Sequence, residues 1–438
     1  MITEYTSDDN FFRVITDKFP KLPWSAKKTS YGHCHWGQRK LLYSEIEFLL
    51  YVAQYQDLSE CVVLYVGSAP GTHTNILIEL FPMLKWILYD PRDFDIHQEY
   101  IDNGIVEIHT GDDGFFTDEH VKTVLSNPMC KNKKILFISD IRFAPNEKQI
   151  FKENVNQQRW LIQLNAYAYV MKLRILYDYK KEFKYDISDI QDRLDLSDLK
   201  VPDSLIGQFL YLDGIALTQI YAPIYSGEGR LMGRIGDNGK YKLKYYDYQK
   251  YEENMMYFNE VLRNKNYIYK ESEQVKHHIL GIGDTYDNVA EYYFIRGYLK
   301  MMGKKYELKN IIKLMYKINK KISKFTKRDF VPCVYSSFMK FFRGLEERKR
   351  NIKELGNSMS EEEKKRKIQS FKNEQRVMVD AAMSAYKNML SLLKAQRDVY
   401  FPEKGILKDI AYEKQIKKAD KLINKTNKFI EKIDKLVI

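Results

Sequence analysis

Apolar residues in the first half of the chain come in short, mostly uninterrupted runs rather than in strict alternation. Val62–Val66, Trp86–Tyr89, Val106–Ile108 and Ile135–Ile138 are such runs, separated by longer mixed segments. Strands buried on both faces read this way, because helices cover a parallel sheet on either side. The pattern therefore predicts an α/β fold with a largely parallel sheet up to about residue 300. After Gly303 the strand signals stop. Leu308–Arg328, Lys364–Gln396 and about Lys408–Val437 carry helical spacing, and the last places Leu422, Phe429, Ile433 and Leu436 on roughly one face. Ser360-Glu361-Glu362-Glu363 reads as a capping box, and Phe401-Pro402-Glu403-Lys404-Gly405 as a break. The organisation expected is a sheet domain over 1–302 and an all-helical extension over 303–438. Lys180–Ser204, rich in Asp and Lys, reads as an inserted surface excursion.

The first of the runs breaks into Gly67-Ser68-Ala69-Pro70-Gly71, and a helical pattern starts at about Thr72. A Rossmann-like sheet opens its nucleotide pocket with such a strand, turn and helix. Gly67 and Gly71 let the backbone approach a ligand, and the first amides of the helix offer donors to a carboxylate. The next strand, Lys85–Tyr89, ends in Asp90, about 20 residues on, where a carboxylate suits a ribose diol. The turn has neither the Gly-x-Gly-x-x-Gly of dinucleotide sites nor the Gly-Lys-Ser/Thr of phosphate loops. S-adenosylmethionine is thus the expected cofactor rather than NAD or ATP. Asp112 and Asp113, after the third run, are placed to approach its adenine.

Charge changes the picture of the second half. The chain of 438 residues carries a net charge of +12, yet residues 301–438 hold 35 of its 71 Lys and Arg and only 17 of its 59 Asp and Glu. A near-neutral sheet domain is followed by a basic tail, which suits phosphate backbones or acidic partners, or simply solvates lysine-rich helices. No stretch approaches the roughly 18 apolar residues of a spanning helix, and the start lacks a basic-then-apolar leader, so a soluble, intracellular protein with no membrane partner is expected. Cys34, Cys61, Cys130 and Cys333 are scattered. They indicate neither a disulfide framework nor a zinc site, and His33-Cys34-His35 and His277-His278 lack a fourth ligand at standard spacing.

Four residues around the turn suggest chemistry. Lys40 stands in Gly37-Gln38-Arg39-Lys40-Leu41-Leu42, Asp140 ends the strand Ile135–Ser139, Lys172 lies in Val170-Met171-Lys172-Leu173, and Glu228 in Tyr225-Ser226-Gly227-Glu228. Each alone is an ordinary solvated side chain. Their order, with the glycine turn between the first and second, follows the Lys-Asp-Lys-Glu arrangement of RNA ribose 2′-O-methyltransferases. More closely, residues from about 30 to 300 resemble the poxvirus family of cap-specific mRNA 2′-O-methyltransferases, which also serve as the small processivity subunit of poly(A) polymerase. The matching words are Gly37–Leu42, Gly67–His73, Lys85–Arg92, Ile138–Arg142, Tyr225–Leu231 and Tyr251–Asn259. The tail matches nothing recognisable in that family.

The resemblance implies a Rossmann-like, S-adenosylmethionine-dependent methyltransferase acting on the first transcribed nucleotide of capped mRNA, in the host cytoplasm or the virion. Lys40, Asp140, Lys172 and Glu228 would be catalytic. If Lys172 is neutral it takes the 2′-OH proton, and if charged it aligns the hydroxyl; the sequence leaves both open. Tyr65, Gly67 and Gly71 map to the methionine end of the cofactor, and Asp90 with Arg92 to its ribose and adenosine side. A cationic 7-methylguanine would stack on Tyr177, meet Glu252 at its edge and be lined by Tyr225 and Ser226. Asp178 stands one residue after Tyr177 where the family has a carboxylate two residues on, and Trp24 and Phe19 are candidates for the second stacking ring. The implied partners are capped mRNA and a viral poly(A) polymerase catalytic subunit. The rival readings are a non-catalytic RNA-binding processivity subunit and a methyltransferase of internal riboses.

Overall fold

The computed structural model describes residues 14–15, 20–23, 37–142, 146–174, 187–223, 226–264 and 286–326, with scattered positions in 360–373 and residues 424 and 428. Helices and strands alternate from α1 (Gly37–Val52) through β1 (Cys61–Val66), α2 (Thr72–Leu80), β2 (Lys85–Tyr89), α3 (Gln98–Asp102), β3 (Val106–His109), α4 (Asp118–Ser126), β4 (Lys134–Ser139) and α5 (Glu147–Gln163) to β5 (Ala168–Leu173). Then come β6 (Leu194–Asp195), β7 (Gln208–Leu212), β8 (Ile215–Leu217), β9 (Gly229–Arg234), β10 (Tyr241–Asp247), α6 (Tyr248–Glu260), α7 (Tyr286–Met301) and α8 (Leu308–Thr326).

Seven strands form the central sheet in the order β3-β2-β1-β4-β5-β9-β8. β1 to β5 run parallel, and β9 lies antiparallel between β5 and β8. The expected α/β class and largely parallel sheet are those observed. Every residue of β1 and β5 is buried, which is why the sequence reads as continuous apolar runs there. β6, β10 and β7 make a second, three-stranded sheet. The edge of the large sheet at β8 is covered by the N-terminal segment, where Val14 bridges Leu217 and Ile15 N donates to Ala216 O at 2.7 Å.

Register decides what meets at the top of the sheet. Val66 pairs with both Tyr89 and Ser139, and Ser139 pairs with Met171. The next residues, Gly67, Asp90 and Asp140, leave the sheet at the carboxyl ends of three adjacent strands, and Lys172, still paired within β5, stands level with them on the fourth. The row straddles the switch between β1 and β4, where an open α/β sheet has its crevice.

One expectation is corrected. Lys180–Ser204 is not wholly a surface excursion: from residue 187 on it is described, and Ile190 and Leu194 are buried in the core, with β6 paired to β10. One compact unit comprises residues 1–276 and 284–328 and the other 277–283 and 329–438. The first unit includes α8, whose Ile311, Met315, Ile318 and Ile322 are all at most 1% exposed and pack toward α7 and α2. In the second unit the Ser360 hydroxyl accepts from Glu363 N at 3.3 Å, as a helix cap would. Lys364–Gln396, Lys408–Val437 and the rest of the basic tail beyond α8 lie almost entirely outside the described residues. Among the described residues no helix is long and apolar enough to cross a membrane.

Candidate active site

Three consecutive residues at the start of α1 each grip a different element. Gln38 Oε1 accepts from Thr72 Oγ1 at 2.6 Å and lies 2.7 Å from His73 Nδ1, which ties α1 to the N-terminus of α2 and so to the glycine turn. Arg39 reaches the opposite way, to Glu291 of α7 and, at 3.0 Å, to the Tyr221 hydroxyl, with its guanidinium 3.7 Å above the Tyr221 ring. Lys40 Nζ donates to Glu228 Oε1 at 2.9 Å. Deeper in the same helix Glu45 accepts from the Tyr65 hydroxyl at 2.5 Å and faces His73 Nε2 at 3.0 Å.

Glu291 is a fully buried carboxylate that receives Arg39, Tyr221, Tyr43 at 2.6 Å and Asn319 of α8 at 2.8 Å. It thus holds both the helix turn carrying Lys40 and the segment leading to Glu228. Glu291→Gln removes the charge that neutralises buried Arg39, and we expect a loss of about 1–3 kcal/mol in stability by urea denaturation. Loss near zero would mean that the node is solvated rather than buried.

At the top of the sheet Asp140 lies between two cations. Its Oδ1 is 3.1 Å from Lys172 Nζ and 2.6 Å from Arg230 Nη2. Lys172 and Arg230 are register partners on β5 and β9, so their side chains share a face, and the carboxylate separates what would otherwise be like charges opposite one another. Glu228 lies 3.8 Å from Lys172 Nζ by its Oε2, and Arg142, itself bound to Glu153 at 2.9 Å, stands 4.0 Å from the same oxygen. The backbone of Lys172 is pinned as well, because Gln157 Nε2 donates to its carbonyl at 2.9 Å. All four predicted residues, Lys40, Asp140, Lys172 and Glu228, are therefore gathered into one constellation.

Burial acts on every group here, and the neighbours decide the outcome. It depresses the Lys172 amine below the usual lysine value; Arg230 and Arg142 add to this, and together they outweigh Asp140 and Glu228. The cation beside Lys172 that matters most is thus Arg230. Burial would raise the two carboxyls, but Lys172, Lys40 and Arg230 overcome it, holding Glu228 at about 2 and Asp140 well below the carboxylate range. Arg230 was missed from sequence although it lies in the word Tyr225–Leu231; its position two residues beyond Glu228, the spacing that brings side chains to one side of an extended chain, was the available signal.

The residues assigned to a cofactor lie along the next two strand ends. Gly67 and Gly71 have φ of 80° and 72°, and a Cβ on Gly67 would come within 2.8 Å of Ile141 N, so only glycine lets the turn pack against the end of β4. Asp90 is buried and accepts from Ala69 N at 3.1 Å, Arg92 N at 3.0 Å and the Arg92 guanidinium at 3.0 Å on each oxygen. Arg92, 69% exposed in its side chain, also donates to Ala69 O at 3.1 Å, which makes the pair a clamp on the glycine turn. Tyr65 is fully buried, with its hydroxyl on Glu45, so its side chain supports the turn from below. Asp113 faces His109 at 2.5 Å and His120 at 3.3 Å, and its carboxyl is held low by the bond to His109.

Of the residues assigned to a cap, Tyr177, Asp178, Tyr225, Phe19 and Trp24 lie outside the described residues. Ser226 Oγ accepts from Glu228 N at 3.2 Å, and its carbonyl accepts from Asn259 of α6 at 3.0 Å. Glu252, seven residues before Asn259 on α6, shares that helix face and accepts from Tyr248 at 3.2 Å; burial raises its carboxyl. Its neighbour Tyr251 donates to Leu173 O at 3.3 Å, so α6 lies over the end of β5 beside Lys172. Leu22 N donates to Glu253 O at 3.2 Å, which places the N-terminal segment against the same helix.

Comparison with known proteins is consistent with this arrangement. Residues 24–328 match the family described as poly A polymerase regulatory subunit. The cap-specific mRNA (nucleoside-2'-O-)-methyltransferase of Myxoma virus (strain Lausanne) is 29% identical over 278 residues, covering 60% of this chain and 73% of its own. That of Fowlpox virus (strain NVSL) is 31% identical over 248 residues, covering 52% of this chain and 68% of its own. A match that spans more than two thirds of the chain, and takes in Lys40, the glycine turn, Asp140, Lys172 and Glu228 together, makes this protein a member of the poly A polymerase regulatory subunit family.

Proposed function

We propose that this chain, a methyltransferase by its kinship, transfers the methyl group of S-adenosylmethionine to the ribose 2′-O of the first transcribed nucleotide of capped mRNA. The observation that carries the reading is the cluster of Lys40, Asp140, Lys172 and Glu228, joined by ion pairs beside the Gly67–Gly71 turn. A ribose hydroxyl is a poor nucleophile at neutral pH, and a lysine with a depressed pKa is suited to accept its proton as the new bond forms. Asp140 and Glu228 orient that amine, and Lys40 fixes Glu228.

The residues fit S-adenosylmethionine. Left-handed glycines at the end of β1, first-turn amides of α2 and the Asp90 carboxylate at the end of β2 form the donor and acceptor set that an amino-acid moiety and a ribose require. Gly67, Gly71, Asp90 and Arg92 would hold it, with Asp113 toward the adenine. Arg92, being exposed, can yield its two side-chain bonds to Asp90 when ribose hydroxyls compete. The bound cofactor supplies an electrophilic methyl on a sulfonium.

Three RNAs ending in a 7-methylguanosine cap, an unmethylated cap or a triphosphate test the reading with labelled cofactor. Methyl transfer confined to the first nucleotide of the methylated-cap RNA supports it. Transfer to none of them leaves a non-catalytic subunit, and equal transfer to all three points to internal riboses. Glu252→Gln should narrow the preference for the methylated cap by roughly tenfold, since a neutral amide pairs less well with a cationic base. Because burial raises Glu252, wild-type cap affinity should also weaken on acidification at a higher pH than a solvated carboxylate would cause. A preference unchanged in the variant would remove Glu252 from the pocket. The family's description favours a second role as well, binding to a poly(A) polymerase catalytic subunit, which tail elongation with and without this chain measures.

A further inference from the structure

Behind the sheet, away from the strand ends, the C-terminal half of α2 and the helices α7 and α8 enclose a groove of about 430 Å³. Five lysines line it: Lys304 and Lys305 from the turn between α7 and α8, and Lys313, Lys317 and Lys321 from α8. Glu79 is the one carboxylate in the lining, and Lys321 already neutralises it. The spacing follows from helix geometry. With Ile311, Met315, Ile318 and Ile322 buried, lysines four residues apart fall in a line along the flank of α8, about 6 Å between neighbours. The groove floor is apolar, formed by Leu80, Leu314 and Ile318 among others. Tyr306, next to Lys305, is 44% exposed, with the Arg296 guanidinium 5.4 Å from its ring centroid.

A file of cations above an apolar floor matches a flexible strand of phosphates and bases. We propose that this groove binds single-stranded RNA, as a second site that holds the body of the transcript while its 5′ end is in the active site. The proposal rests on the reading of the chain as an RNA methyltransferase. α2 connects the two places, since its N-terminus borders the glycine turn and its last turn borders the groove. Its nine residues span about 13 Å, so only an RNA several nucleotides long can occupy both.

The test uses the full chain with Lys313→Glu and Lys317→Glu combined, both lysines being exposed and outside the active-site constellation. The probe is an uncapped, unstructured single-stranded RNA, titrated over a range of salt. The expected result is at least tenfold weaker binding, with the slope of log affinity against log salt shallower by about 0.7 for each phosphate no longer neutralised. The Lys313→Arg, Lys317→Arg pair should restore both. Methylation of a very short capped oligonucleotide should be unchanged, while a long capped RNA should show a raised KM at constant kcat. Unchanged RNA affinity and slope in the charge-reversed protein overturns the groove. So does polyglutamate, if wild type binds it more tightly than the RNA and the charge-reversed protein loses that preference, because the site would then be one for an acidic protein. Failure of wild type to methylate the short capped RNA would instead overturn the reading of function, and leave the RNA titration to judge the groove by itself.

Discussion

Replacing Lys172 with alanine is expected to lower methyl transfer by about 10²–10⁴-fold, the usual worth of a positioned general base, while leaving cofactor affinity nearly unchanged. The amine is buried, and its pKa lies below the ordinary lysine value because desolvation, Arg230 and Arg142 outweigh Asp140 and Glu228. If the neutral amine is the base, wild-type kcat should rise with pH and level off below the pH at which a solvated lysine would, near 10.5. In Lys172→Ala that limb of the profile should vanish. A variant with near-normal turnover, or a wild-type profile without a basic limb, would remove Lys172 from proton transfer. Calorimetry with the cofactor separates this from damage to the turn, since the Lys172 amine bonds to Asp140 rather than to Gly67 or Asp90.

Asp140→Ala should do damage of another kind, to stability as well as to rate. The carboxylate joins Lys172 at 3.1 Å to Arg230 at 2.6 Å across two paired strands. Without it, two buried cations face one another at a register pair with only Glu228 nearby, and breaking a buried pair of this sort costs about 3–5 kcal/mol. Asp140→Asn keeps a polar group of the same shape and should cost less, yet it removes an interaction that raises the Lys172 pKa. The sign is therefore definite: the basic limb of the pH profile should move to lower pH in Asp140→Asn, not higher. A shift upward, or urea denaturation showing no loss in Asp140→Ala, would mean that Asp140 does not neutralise the pair.

The sequence by itself determined the class of fold and the identity of most candidate groups. Uninterrupted apolar runs at Val62–Val66 and Ile135–Ile138 are legible because burial on both faces leaves no polar alternation to interpret. The Gly67–Gly71 turn is legible because left-handed backbone and close packing leave glycine as the residue that fits. Local signals also located α8 and the Ser360 cap. They did not show that α8 belongs with the sheet, since an amphipathic helix declares that it buries a face but not against what. For the same reason Ile190 and Leu194, in a charged stretch, looked like surface until β6 was seen paired to β10. What only the tertiary structure decided is the electrostatic state of the site. The order of Lys40, Asp140, Lys172 and Glu228 suggested a cluster, but strand register alone sets Arg230 opposite Lys172 and Asp140 between them. The direction of the Lys172 shift is the balance of burial, Arg230 and Arg142 against Asp140 and Glu228, groups drawn from separate strands and loops. That balance depends on distances of 3–4 Å, and residue types in sequence carry no distances.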